Sequence, residues 1–164
     1  MRVHRLKQEQ IVARPIDEVF SFFARPENLE RITPAQLRFH ILTPSPIRMG
    51  AGAVIDYELR IWGVPVHWRT LITDFEPPYQ FIDQQLKGPY AMWHHRHTFE
   101  AVEGGTRIGD EVTYALPFGP LGTLVHGLYV RHDIGRIFEH RKKVIASHFR
   151  EGAPMPDSPQ LGVA

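Results

Sequence analysis

The chain has 164 residues, 43% of them hydrophobic and 23% charged, the balance of a globular protein with one core. Nineteen basic residues against 18 acidic ones leave a formal charge of +1, which excludes a global field drawing it to nucleic acid or anionic lipid. With no cysteine, disulfides, thiol catalysis and thiolate metal sites are excluded, and a reducing cytoplasm is the expected location.

The opening MRVHRLKQEQIVARP lacks the apolar run of a signal peptide, and no segment approaches the roughly 18 apolar residues of a membrane span. Residues 3–13 read as a strand, with Val3, Leu6 and Ile11 among polar neighbours. RPIDEVFSFFARPENL then takes helical spacing. Pro15 suits a first turn, Asp17 and Glu18 favour its positive end, and Val19, Phe22 and Phe23 form an apolar stripe. Pro26 ends that helix, and ENLERIT predicts a short second one stopped before Pro34.

AVIDYELRIWGVPVHWRTLITDFE is two alternating runs about a Gly63-Val64 turn. Pairing outward from that turn sets Leu59 opposite Trp68, Tyr57 opposite Thr70 and Glu58 opposite Arg69. YQFIDQQL predicts a further strand. YAMWHHRHTFE follows, and EGGT predicts a type I′ hairpin at Gly104-Gly105. That register sets Phe99 opposite Asp110, His97 opposite Val112 and His95 opposite Tyr114. His95 and His97 share the inward face, and His94 faces water. From Pro120 to about Phe149 the chain reads as one long helix. Its first stripe is Leu121, Leu124, Val125 and Leu128, with His132 a turn beyond; Ile134, Phe138, Ile145 and Phe149 lie at a different angle. The tail EGAPMPDSPQLGVA, residues 151–164, is expected to be a flexible end beyond a single domain of residues 1–150.

The order predicts an α+β fold: a curled antiparallel sheet of about seven strands on a long C-terminal helix, with two short helices after the first strand. Residues 13–34 (ARPIDEVFSFFARPENLERITP), the stretch DFEPPYQFIDQQLKGPYAMWHHRHTFEAVEGGTRIGDEVTYALPFGPLG and the terminal IFEHRKKVI resemble the SRPBCC superfamily (START, Bet v 1-like), in its polyketide cyclase/dehydrase-like branch. The resemblance covers about residues 3 to 150. It implies a helix-grip fold with an apolar pocket between sheet and helix. It brings no family-wide catalytic set, because the superfamily spans carriers, binders and cyclases.

The expected pocket residues on the first hairpin are Tyr57, Leu59 and Trp68. Those on the second are Trp93, His95, His97, Phe99, Asp110, Val112 and Tyr114, and the helix adds Leu128 and His132. Zinc on His95 and His97, with Asp110 third, is permitted by spacing. Trp93, Phe99 and Val112 offer few groups to orient the imidazoles, so neither metal nor other cofactor is expected. The leading reading is a domain that binds a small or medium apolar ligand, lipid-, polyketide- or quinone-like, in a pocket between sheet and C-terminal helix. The first alternative is a cyclase/dehydrase-type lyase or isomerase with His95, His97, Asp110 and Tyr114 as its acid–base groups. The second is an interaction module with a filled core. His95→Ala or His97→Ala should then alter ligand affinity and leave folding largely intact. Trp62, beside the turn, and Arg141, a partner for Asp110, Asp83 or a ligand carboxylate, complete the candidates; an exposed Trp62 would suit a homodimer.

Overall fold

Seven segments with alternating side chains pair into one antiparallel sheet in the computed structural model, which describes residues 1–150. The expectation of a flexible tail at 151–164 lies outside the described residues. The strands are β1 (Val3–Val12), β2 (His40–Ile41), β3 (Val54–Ile61), β4 (Val64–Glu76), β5 (Gln80–Lys87), β6 (Met92–Val102) and β7 (Gly105–Ala115), in spatial order β1-β7-β6-β5-β4-β3-β2. Between β1 and β2 run the helices α1 (Ile16–Phe23) and α2 (Glu27–Ile32). Pro15 caps α1 in extended geometry, and Asp17 and Glu18 sit in its first turn. Its buried face, Val19, Phe20, Phe22 and Phe23, packs on the sheet, with the Phe20 ring edge-on to Phe81 and Phe99.

Both hairpins turn one residue earlier than the glycine positions suggest. The β3–β4 turn is Trp62-Gly63, with φ of 49° and 80°, so Ile61 pairs with Val64 and Tyr57 with Trp68. In the β6–β7 turn, Glu103-Gly104, only Gly104 has positive φ (84°), which is not type I′; Gly105 (φ 152°) becomes the first residue of β7. A Cβ on Gly105 would collide with the Val12 carbonyl oxygen, so β1 approaches closely there. Each register therefore moves by two residues. Asp56, not Glu58, faces Arg69 and binds its Nε at 2.9 Å. His95 faces Val112, and His97 faces Asp110. A two-residue shift keeps every side chain on its predicted face.

The C-terminal helix has three parts: α3 (Gly119–Val125), a π turn at His126–Val130, and α4 (Arg131–Arg150). The π turn inserts a residue and rotates α4 relative to α3 by about 100°. Ile134, Phe138, Arg141, Ile145 and Phe149 form the buried face of α4. The stripe expected before it is corrected in part: Leu124 and Leu128 are 59% and 61% exposed and His132 is exposed too, whereas Leu121 and Val125 border the space between helix and sheet. The fully buried positions here are Gly122 and His126. Trp62, 65% exposed, donates from Nε1 to Asp133 Oδ2 at 2.7 Å and meets Tyr129 edge-on, so the first hairpin touches the helix at its π turn. Among the described residues, no helix is long and apolar enough to cross a membrane.

Candidate functional site

Three apolar clusters form the core. One lies under α1 (Phe20, Phe22, Phe99, Ile108, Ile145), one under α4 (Val112, Tyr114, Ile134, Phe138) and one beside β3 and β4 (Phe39, Leu59, Trp68). Between them is a cavity of about 790 Å³. Its walls are mostly aromatic and aliphatic, Trp68, Tyr90, Trp93 and Phe138 among them, and Asp83, His95, His97 and Arg141 also reach its surface.

Asp83, His95 and His97 belong, with Asp110, to one buried network built on three adjacent strands, and Arg141 of α4 lies beside it. His95 and His97 alternate on β6, Asp83 stands opposite His95 on β5, and Asp110 stands opposite His97 on β7. His95 Nε2 donates to Asp110 Oδ1 at 2.8 Å, and His97 Nε2 donates to Asp83 Oδ2 at 2.7 Å. Ionised carboxylates only accept, so both Nε2 atoms carry hydrogen in this arrangement. Across the diagonal, His95 Nδ1 is 3.6 Å from Asp83 and His97 Nδ1 is 3.4 Å from Asp110. His97 Nδ1 is buried without a hydrogen-bond partner, as is Arg141 Nε. The Arg141 guanidinium carbon lies 5.1 Å from the centre of the Phe138 ring.

The electrostatics follow from burial and mutual charge. Burial, then the charge on His97, pulls the His95 imidazole down to about 4. Burial would also lower His97, but the Asp110 and Asp83 carboxylates outweigh it and raise it. Burial would raise Asp110; hydrogen bonds and charge from the histidines, with Arg141, hold it well below the usual carboxylate range, and Asp83 is lowered by the same balance. Asp83 and Asp110 thus face Arg141 and two imidazoles whose proton affinities are pushed apart, His95 down and His97 up.

Tyr57, Leu59, Trp68, Trp93, His95 and His97 line the cavity. Phe99, Asp110, Val112 and Tyr114 are buried behind its wall, while Leu128 and His132 point away from it. Of the proposed acid–base set, His95, His97 and Asp110 come together. Tyr114 does not: its hydroxyl bonds His126 Nε2 at 2.8 Å. The sequence brings in Asp83 only as an acceptor for Arg141. Its signal was available, because Asp83 shares a strand face with Phe81 and a charge on an inward face needs a partner.

A family described as "Polyketide cyclase / dehydrase and lipid transport" matches residues 12–139. The chain belongs to this family. No curated protein matches the sequence. Among solved structures, TTHA0849 from Thermus thermophilus is similar at 16% identity and a TM-score of 0.73, covering 92% of this chain and 100% of that one. The Zhui aromatase/cyclase from a Streptomyces species shares 15% identity over 93% of this chain and 97% of its own, with a TM-score of 0.72. Ara h 8.0201 shares 17% over 92% and 100%, with a TM-score of 0.64. At such identities the likeness is one of fold. In this polyketide cyclase/dehydrase-family chain, the cavity lies between sheet and C-terminal helix.

Proposed function

We propose that the protein binds a small or medium apolar molecule inside the cavity, with the Asp83–His95–His97–Arg141 end orienting the ligand's polar group. One observation carries this reading. The cavity of about 790 Å³ falls within the range of small-molecule sites, and its polar groups gather at one place on an otherwise apolar wall. A filled-core interaction module would not keep such a space. The family's description, which joins cyclisation and lipid transport, supports the same reading.

Trp68 and Trp93 lie in the wall and report occupancy. Titration with a polycyclic phenol and with a long-chain fatty acid should change tryptophan fluorescence saturably at one equivalent for at least one of them. Native mass spectrometry should show the same adduct, lost on denaturation. Bare protein mass and a linear, unsaturable fluorescence response to both ligands would sink the proposal. A second reading, proton-transfer catalysis of the cyclase/dehydrase kind, is favoured by imidazole–carboxylate pairs opening onto the cavity. It predicts turnover of an enolisable ligand that is abolished in His95→Gln.

A further inference from the structure

We propose that Asp83, His95 and His97 form a binding site for one divalent transition-metal ion, opening into the cavity. The inference goes beyond apolar binding and stands or falls without an organic ligand. One donor atom from each residue can be chosen so that all three lie within 4.8 Å of one another. Zinc-type bonds of about 2.0–2.2 Å place neighbouring donors roughly 3 Å apart. His97 Nε2 is 2.7 Å from Asp83 Oδ2 and His95 Nδ1 is 3.6 Å from it, straddling that spacing. Small side-chain rotations bring the three donors onto one ion, and the strands need not move.

A second observation comes from behind the histidines. Asp110 Oδ1 reaches the far nitrogen of both rings, His95 Nε2 at 2.8 Å and His97 Nδ1 at 3.4 Å. An outer carboxylate in that position fixes the tautomer and aims the other ring nitrogen at a metal. The sequence offers Asp110 as a third ligand; its place behind both rings makes it the orienting group instead. Hydrogen bonding within the network leaves His97 Nδ1, on a side chain 7% exposed, without a partner. On ligation, Nε2 exchanges Asp83's hydrogen bond for the ion, and its hydrogen shifts by tautomerisation to Nδ1. Nδ1 then carries the ring hydrogen toward Asp110, and the leftover nitrogen is accounted for.

Two imidazoles and one carboxylate suit zinc, ferrous iron or cobalt better than calcium or magnesium. Two carboxylates against a divalent ion and Arg141 leave one positive charge. The cavity-facing coordination position therefore takes an anionic oxygen, from hydroxide or a ligand enolate or carboxylate, beside an arginine whose Nε has no hydrogen-bond partner.

The test is titration of chelator-stripped full-length protein with Co²⁺, read by its visible ligand-field bands, followed by displacement with Zn²⁺. One equivalent should bind. Asp110→Asn should weaken affinity about 10- to 100-fold as the loss of an outer partner, and Asp83→Asn should weaken it further. His126→Gln should leave it unchanged. Circular dichroism checks that each variant is folded, and in the wild type the imidazole ¹⁵N shifts of His95 and His97 should move on adding Zn²⁺ while the others stay. A missing saturable spectrum overturns the proposal. So does an unchanged spectrum in folded Asp83→Asn, or a shift confined to other histidines such as His4 and His126.

Discussion

His97 shows how a residue chosen for ligand contact also carries stability once its neighbours are known. Its Nε2 is the hydrogen-bond donor to Asp83 at 2.7 Å, and the Asp83 side chain is only 17% exposed. Removing the imidazole leaves a largely buried carboxylate short of a partner. Breaking a buried pair from one side typically costs about 3–5 kcal/mol. His97→Ala is therefore expected to lose about 3 kcal/mol in urea unfolding, the low end because Asp83 keeps contact with the cavity. This replaces the expectation of intact folding that arises when His97 is read from sequence alone. Asp83→Asn introduced together with His97→Ala should recover about 1–3 kcal/mol, since contacting residues do not add. A His97→Ala protein as stable as wild type would show that cavity water satisfies Asp83 without help.

The elements explain which parts of the site were legible. Alternation fixed the inward faces of β6 and β7, and a two-residue error in each hairpin register left those faces unchanged. His95, His97 and Asp110 were therefore visible as neighbours. Asp83 was harder, because β5 reaches β6 through a loop with no hairpin signature from which to count register. The helix is illegible where its period breaks: nothing in HGLYV announces a π turn, so an unbroken helical period puts Leu128 and His132 inward. Two glycines of this helix should respond oppositely to alanine. A Cβ on Gly122 would collide with the Pro117 carbonyl oxygen, a backbone atom that cannot step aside, whereas Gly135 has nothing within 4 Å. Gly122→Ala should destabilise by about 1–3 kcal/mol through overpacking. Gly135→Ala, by contrast, should stabilise by about 0.5–1 kcal/mol through helix propensity. Thermal unfolding of both variants checks the contrast, and equal effects would mean that α3 packs less closely than this.

Across the whole molecule, the cavity exists because three core clusters do not merge, a property of volumes that no residue pattern records. Among the contacts that tie sheet to helix is a pair of histidines. His4 of β1 stacks on His126 of the π turn with ring centroids 3.4 Å apart, and Tyr114 of β7 bonds His126. Burial lowers the pKa of both; Arg2 adds to the effect at His4, and His4, Arg131 and Arg2 add to it at His126. His148 is lowered by burial and by Arg31 and Arg14 against the opposing charge of Glu18. In the unfolded chain these histidines titrate near 6.5. Above that value both states are neutral and the stability is fully present. As pH falls below 6.5 the unfolded chain takes up protons that the folded protein refuses, so stability is lost toward the depressed folded values. His97 acts in the opposite direction, since its raised folded pKa favours the native state below 6.5. The informative quantity is therefore a difference. Between pH 7 and 5, wild-type Tm should fall more steeply than that of His126→Gln, which keeps the ring's approximate size and one polar group but cannot charge. Raising salt should narrow the gap by screening the contributions of Arg2 and Arg131. Parallel slopes would mean that the stacked pair admits a proton as readily as the open chain does, and that β1 and the π turn part at little cost.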